Sequence, residues 1–318
     1  MLIEPNVLKR LDLASLTMVE NSFLEGPLAE ALQQAPAIER QRGLSAEDFY
    51  SDYRALLRPV ILEGAAAGWP AVQTWNFEQL AERCGFAQVT VNAYSSQHAR
   101  DVTFADFVRM LRAGAADGAM PLYLQEWYFQ ADCPELALDL PELAIAQYDF
   151  RRDLYGEAVS TNHQLWIGQQ GGITRLHQDS YMVDAMHVQL VGSKRWIVMG
   201  PEALVNGATE PASAWQALVD SPLTQLMQCT LKPGDVLYLP ALWFHRVELL
   251  SDSIGLGRKC LDPKHLRMHI HQRMAELLTL ALNPEEIQRA HPGLFNAVLM
   301  RNRSWARRMQ IDLTKLRP

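Results

Sequence analysis

The chain has 318 residues, of which 48% are hydrophobic and 20% are charged. Such a chain can bury enough apolar surface to offset the entropy of ordering, which excludes a wholly disordered or collagen-like protein. The length favours one catalytic-sized domain over two large domains. Acidic residues outnumber basic residues by 36 to 29, a net charge of -7, so we do not expect nucleic acid as the main partner.

The cysteines and the N-terminus exclude further classes of protein. The four cysteines lie far apart, at Cys84, Cys133, Cys229 and Cys260. Without a Cys-x-x-Cys pair, they indicate reduced, buried thiols and not a zinc knuckle or a disulfide framework. No stretch approaches the roughly 20 apolar residues of a membrane helix, and Glu4 and Asp12 do not fit a secretory leader. We therefore expect a cytoplasmic protein with no membrane partner.

The order of the elements predicts a single catalytic domain, 1–318, with three regions. Residues 1–58 form an N-terminal helical extension, 59–262 a β-rich core with flanking helices, and 263–318 a C-terminal helical region. Three polar residues that precede apolar runs predict helix starts: Ser45, Asn76 and Thr103. The last two are expected to cap helices over 77–84 and 104–113.

From Pro121 onward, short β-rich runs separated by Gly, Pro, Asn and Asp predict a sandwich or barrel. The predicted strands are 122–126, 164–168, 185–191, 194–199, 228–231, 236–239 and 246–250, after an earlier one over 59–63. Gly192-Ser193 is predicted to be a two-residue hairpin turn, and 201–221 a looser insertion. Beyond Asp262-Pro263 the pattern becomes helical again.

A metal site is the main chemical prediction. His177 and Asp179 are two residues apart, so on a strand both side chains point to the same face. His245 follows a Gly-Asp turn, an apolar strand and a Pro-led bend, and can join the pair from a neighbouring strand; the alternative is a buried core histidine. Two imidazoles and one carboxylate leave three positions open, as expected for non-haem Fe(II) that binds a co-substrate and O₂. Structural zinc would close its shell with four ligands.

Several motifs in this order resemble the jumonji-C, cupin-like Fe(II)- and 2-oxoglutarate-dependent oxygenases. They are Pro59-Val-Ile-Leu, Gly68-Trp-Pro70, Trp166-Ile-Gly168, His177-Gln-Asp179, Gly192-Ser-Lys194-Arg-Trp196, Pro233-Gly-Asp235 and Pro240-x-x-Trp-Phe-His245. The spacing from His177 to Lys194 is similar to that of the jumonji-domain lysyl hydroxylase branch. The resemblance implies an α+β, mainly β fold: a double-stranded β-helix, or jelly roll, with helical extensions at both ends. It also implies that His177, Asp179 and His245 ligate the iron.

The resemblance further implies a site for 2-oxoglutarate. Lys194 matches the lysine that binds its distal carboxylate, and Thr174 and Tyr123 match the hydroxyl donors to the same group. His187 lies near a position where relatives often have Asn, and is either a co-substrate donor or a core residue. Lys259 offers a second counter-charge, so the choice between the two lysines stays open. Leu242 stands where many cupin motifs have Gly.

The family analogy favours hydroxylation of a protein or peptide side chain, with demethylation as a variant of the same chemistry. Two alternatives remain open: a free amino acid or other small metabolite as substrate, and a non-catalytic binding module. Several relatives dimerise through C-terminal helices like the run 266–282, so a homodimer is possible here. Three histidines in this region are interpreted as solvated or interfacial: His265, His269 and His271.

Overall fold

The computed structural model describes residues 34–92, 98–114, 119–155, 163–179, 181–201 and 225–282, together with residues 285 and 289. Most of the predicted N-terminal extension, most of the predicted insertion over 201–221 and most of the C-terminal region therefore lie outside the described residues.

Short helices precede the β-rich core and one longer helix follows it. The α-helices are α1 (Ala46–Phe49), α2 (Pro70–Thr74), α3 (Phe77–Cys84), α4 (Phe104–Ala113), α5 (Arg151–Tyr155) and α6 (Leu266–Leu282). A π-helical turn, Tyr50–Arg54, continues α1, and 3₁₀ turns cover Phe129–Ala131, Pro134–Asp139, Ala144–Tyr148 and Pro263–His265. Among the described residues, no helix has the length and apolarity needed to cross a membrane.

The three predicted helix starts are confirmed. Each cap side chain accepts a hydrogen bond from the backbone N–H three residues later: Ser45 Oγ at 3.0 Å, Asn76 Oδ1 at 2.8 Å and Thr103 Oγ1 at 3.1 Å. These bonds satisfy one of the donors that the first turn of a helix leaves free.

The strands form two sheets. They are β1 (Arg40–Gln41), β2 (Val60–Leu62), β3 (Gln88–Val91), β4 (Arg100–Thr103), β5 (Tyr123–Trp127), β6 (Gln164–Gly168), β7 (Ile173–Gln178), β8 (Asp184–Val191), β9 (Lys194–Met199), β10 (Met227–Leu231), β11 (Val236–Leu239), β12 (Phe244–Leu249) and β13 (Ser253–Cys260). The large sheet has the order β1-β2-β11-β8-β13-β6-β5-β3-β4, and the small sheet has the order β10-β9-β12-β7. All pairs are antiparallel except β1 with β2.

Two buried clusters hold these layers together. One lies between the sheets, where Trp196 and Val247 of the small sheet pack with Ile61 and Leu237 of the large sheet. The other joins the large sheet to the helices, and includes Phe107 of α4. Two facing antiparallel sheets with helices on one side form the expected α+β jelly roll, and the fold prediction is confirmed.

The predicted hairpin at Gly192-Ser193 was wrong. A turn is present there, but β8 belongs to the large sheet and β9 to the small one, so the two strands do not pair. Gly192 has φ of +71°, and a Cβ on it would lie 2.1 Å from the carbonyl oxygen of Asp252. Only glycine therefore permits this crossing between sheets. Alternating runs on both sides of a turn do not reveal which partner each strand will choose.

Candidate metal centre

Two strands of the small sheet bring the two predicted metal-binding histidines together. His177 lies near the end of β7 and His245 near the start of β12, and the two residues are direct cross-strand partners. Directly opposed side chains on antiparallel strands point to the same face. Their ring centroids are 4.1 Å apart.

Asp179 completes the cluster from the position just after β7. One potential ligand atom from each of His177, Asp179 and His245 lies within 4.8 Å of the other two. Imidazole nitrogens and carboxylate oxygens bind a divalent transition metal at about 2.0–2.2 Å, so these atoms lie close enough together to share one ion. Three ligands on one side leave positions for further ligands.

Backbone contacts fix which nitrogen of each histidine is available. Nδ1 of His177 lies 2.8 Å from the carbonyl oxygen of Arg175, and Nδ1 of His245 lies 3.3 Å from that of Trp243. Because a carbonyl can only accept, each Nδ1 must carry the proton and donate it. Nε2 of each ring then presents a lone pair, which is the tautomer that a metal ligand needs.

Electrostatics keep His245 and Asp179 in their ligating protonation states. Burial, followed by the neighbouring His177, lowers the pKa of His245 to about 3, so this ring is neutral at ordinary pH. For Asp179 burial favours the neutral acid, but the charge of Lys259 and the neighbouring histidines together outweigh burial and hold the carboxyl pKa below its usual value. A neutral imidazole beside an ionised carboxylate is the donor set that a cation requires.

Lys259 forms an ion pair with a predicted metal ligand. Its ammonium contacts the carboxylate of Asp179 from the end of β13. The ammonium of Lys259 is therefore already paired with a carboxylate of the metal cluster. It is not available to pair with the distal carboxylate of 2-oxoglutarate.

Lys194, in contrast, is buried and has no counter-ion in the part of the chain that the structure describes. Its side chain is 4% exposed, and Nζ lies 3.5 Å from the carbonyl oxygen of Trp166 and 5.8 Å from the ring centroid of Tyr123. No carboxylate among the described residues forms an ion pair with it, and burial lowers its pKa to about 7. An uncompensated buried ammonium is costly, so this position favours an anionic ligand.

Small and hydroxyl-bearing residues surround Lys194. Thr174 Oγ1 donates to the hydroxyl of Tyr123 at 3.3 Å, so the two predicted hydroxyl donors lie side by side. Across the site, a Cβ on Gly255 would lie 2.8 Å from Lys194 Nζ. The absence of a side chain at this position of β13 leaves room for the ammonium, which a larger residue would displace.

His187 lies beside the metal cluster with an unsatisfied nitrogen. Its ring centroid is 4.5 Å from that of Trp196 and 6.2 Å from that of His245. The residue is buried, and its Nε2 has no hydrogen-bond partner among the described residues. Burial lowers its pKa well below the usual value, so the ring is neutral. A buried polar atom without a partner is rare and indicates a site for a ligand or water.

A buried arginine near the site was not predicted from the sequence. Nε of Arg54 lies 3.1 Å from Oδ2 of Asp184 and 3.5 Å from Oδ2 of Asp262. The other oxygen of Asp184 accepts the N–H of Ala241 at 3.0 Å, next to Leu242, whose φ is +69°. One guanidinium thus joins the start of β8, the chain after β13 and the turn that leads into β12. Charged residues in a sequence carry no local sign that they will be buried together.

A second potential metal cluster occurs among the described residues, but its chemistry is less suitable. The sulfur atoms of Cys84 and Cys133 and a carboxylate oxygen of Glu135 lie within 4.8 Å of one another. Both thiols are fully buried, and burial raises the pKa of each. They therefore remain protonated core residues, as the sequence indicated.

Comparison with known proteins agrees with the fold. The family model described as a cupin-like domain matches residues 46–258. A lysine-specific demethylase of Arabidopsis thaliana is 27% identical over 245 residues, covering 72% of this chain and 26% of that protein. A bifunctional peptidase and (3S)-lysyl hydroxylase of Homo sapiens is 25% identical over 258 residues, covering 66% of this chain and 79% of that protein.

A third relative is a 2-oxoglutarate and iron-dependent oxygenase of Mus musculus, 22% identical over 289 residues, covering 80% of this chain and 67% of that protein. The chain spans between 26% and 58% of the length of the four demethylases of Arabidopsis thaliana that it matches. The family model covers more than half of the chain, from α1 to β13. The resemblance seen in the sequence is therefore confirmed, and the chain belongs to the cupin-like domain family.

Proposed function

We propose that this protein is an Fe(II)- and 2-oxoglutarate-dependent oxygenase that hydroxylates a side chain of a protein or peptide. The observation that carries this proposal is the convergence of His177, Asp179 and His245, in the same jelly roll as a buried lysine that has no counter-ion among the described residues. The names of two relatives, one a lysyl hydroxylase and one a 2-oxoglutarate and iron-dependent oxygenase, support it.

In this proposal the two imidazoles and the carboxylate hold the iron on one side. When bound there, Fe(II) together with 2-oxoglutarate supplies the chemistry that uses O₂ to hydroxylate a carbon, with release of succinate and CO₂. His177 and His245 bind through Nε2 because each Nδ1 donates to a backbone carbonyl. Lys259 keeps Asp179 ionised until metal binds.

We assign the distal carboxylate of 2-oxoglutarate to Lys194, and Lys259 to the metal cluster. Lys194 is buried and unpaired among the described residues, whereas the ammonium of Lys259 contacts Asp179. Tyr123 and Thr174 add hydroxyl groups on the Lys194 side, and Nε2 of His187 can donate to the co-substrate from beside His245.

The proposal is tested by anaerobic loading with Fe(II) and 2-oxoglutarate, followed by addition of O₂ and measurement of succinate. Asp179→Ala should abolish succinate release, and Lys194→Met should raise the Kd for 2-oxoglutarate. Full turnover by Asp179→Ala would show that the ligand assignment is wrong. If Mn(II) and 2-oxoglutarate do not bind in calorimetry, the non-catalytic binding module is the correct alternative.

The substrate is tested by incubating the loaded enzyme with a peptide library or a lysate and recording mass changes. Gain of one oxygen on a peptide supports hydroxylation, and loss of a methyl group with formaldehyde release supports the demethylation that several relatives are named for. Modification of free amino acids but not of peptides would favour the small-metabolite alternative. The cytoplasmic location stays a prediction.

We also propose that α6 mediates a homodimer. Three apolar side chains on this helix are exposed: Met268 at 51%, Ile270 at 46% and Met274 at 43%. Such side chains gain free energy when a second copy covers them. Light scattering of the wild-type protein and of Ile270→Glu tests this, because the charged side chain should shift a dimer towards monomer.

A further inference from the structure

The turn between Asp179 and β8 has an unusual backbone. Tyr181 has φ of +70° and Met182 has φ of +52°. Residues with side chains rarely adopt this left-handed conformation, and two in succession persist only where surrounding structure enforces them. Both residues are buried, at 6% and 9% exposure. A strained turn, here named the 181–183 turn, therefore begins two positions after a predicted metal ligand.

The first half of α6 holds this turn through His269. Nδ1 of His269 donates to the backbone carbonyl of Tyr181 at 2.7 Å. His269 is fully buried, which corrects its interpretation from sequence as a solvated or interfacial residue. Burial also lowers its pKa to about 4, so the ring is neutral at ordinary pH and only one of its nitrogens carries a proton.

Arg273, one helical turn after His269, determines which nitrogen of His269 carries the proton. Its Nε lies 3.3 Å from Nε2 of His269, and since a guanidinium can only donate, Nε2 must accept. The proton is therefore on Nδ1, where it faces the carbonyl of Tyr181. The guanidinium of Arg273 also covers the ring of Tyr181, with Cζ 4.3 Å from the ring centroid. The two residues thus hold both the backbone and the side chain of Tyr181.

The other side of the 181–183 turn is attached to the core. Tyr181 and Val183 pack with Leu261, which follows β13, and with Leu266, the first residue of α6. The ammonium of Lys259 contacts Asp179 from the same end of β13. The turn and the metal ligand before it are consequently held against a single surface made by β13 and α6.

We propose that His269 and Arg273 are positioning residues for the metal centre. Through Tyr181 they hold the 181–183 turn in its strained form, which fixes Asp179 beside His177 and His245 and sets the affinity of the site for a divalent metal. This inference rests on the proposed function, since it needs those three residues to be the ligands.

Mn(II), a redox-stable substitute for Fe(II), provides the test by electron paramagnetic resonance titration of the full chain. His269→Ala should raise the Kd for Mn(II) about tenfold or more, as loss of a group that orients a ligand commonly does. His269→Asn should restore most of the affinity, because its amide nitrogen can donate from near the position of Nδ1. Arg273→Ala should also raise the Kd, and Arg267→Ala, at an exposed position of the same helix, should leave it unchanged.

The melting temperature of each metal-free variant separates positioning from general stability. A folded His269→Ala protein with wild-type Kd for Mn(II) would overturn the inference, and so would equal losses of affinity in Arg273→Ala and Arg267→Ala. If His269→Ala does not fold, His269→Asn and Arg273→Ala are compared instead. Arg273→Ala should bind Mn(II) more weakly than His269→Asn, and wild-type Kd values in both variants would overturn the inference. Failure of the wild-type protein to bind Mn(II), or undiminished binding by Asp179→Ala, would instead contradict the proposed metal site.

Discussion

The backbone of Gly255 passes so close to Lys194 that a Cβ at this position would lie 2.8 Å from Nζ. Gly255→Ala should therefore displace the ammonium, and because this is the end of a flexible side chain, the fold should tolerate the change. Loss of one charge-assisted hydrogen bond of about 1.5–3 kcal/mol predicts a Kd for 2-oxoglutarate that is about 10- to 150-fold higher. Calorimetry with Mn(II)-loaded protein measures this Kd. Gly68→Ala, with open space around the new methyl group, is the matched control.

The affinity for 2-oxoglutarate should depend on pH through Lys194. Burial lowers the pKa of this lysine to about 7 in the free protein, and a bound carboxylate would raise it again. Binding at pH 8 should therefore take up a proton, and the affinity should fall as pH rises through 7. Calorimetry in two buffers with different ionisation enthalpies measures the uptake. Lys194→Met should bind 2-oxoglutarate weakly and without proton uptake. Proton uptake that persists in this variant would assign the effect to another group.

The buried contact of Arg54 with two carboxylates should be important for stability. Arg54→Met leaves Asp184 and Asp262 buried without their counter-charge. Breaking a buried ion pair in this way costs about 3–5 kcal/mol, so we expect a decrease of that size in the free energy of unfolding. Urea denaturation measures it. Arg58→Met removes an exposed pair with Glu39 and should cost no more than about 1 kcal/mol.

Leu242 should be less favourable than glycine for backbone reasons. Its φ of +69° lies in the left-handed region, at the position where many cupin motifs have Gly. Leu242→Ala and Leu242→Gly remove the same contacts beyond Cβ, but only Gly avoids the left-handed penalty of about 1–2 kcal/mol. Glycine also loses more backbone entropy on folding, which offsets part of this gain. We therefore expect Leu242→Gly to be more stable than Leu242→Ala by about 0.5–1 kcal/mol. Leu250 does not have a positive φ, so Leu250→Ala should be more stable than Leu250→Gly. Thermal unfolding of the four variants measures both differences.

Much of the candidate site was predictable because its signals are local. His177 and Asp179 are two residues apart, a spacing that on a strand predicts one face, and the two side chains do cluster although Asp179 lies just after β7. The helix caps at Asn76 and Thr103 are equally local, since each cap bonds to a backbone N–H three residues away. Chemistry that depends on neighbours in the chain can be deduced from residue order.

Pairings between distant positions depended on the tertiary structure. Lys194 and Lys259 were both candidates until the fold buried Lys194 with no carboxylate partner among the described residues and placed Lys259 against Asp179. His269 was interpreted as solvated or interfacial, yet α6 buries it against Tyr181.

The amino-acid order by itself determined which side chains are suited to bind a metal and where helices begin, since spacing and capping act over a few residues. Only the folded chain decided that β8 and β9 separate into different sheets and that Arg54 lies between two carboxylates. The physical reason is that burial and strand pairing are set by contacts among residues far apart in the sequence, such as Arg54 and Asp184, which are 130 positions apart. Residue type and local spacing do not specify such contacts.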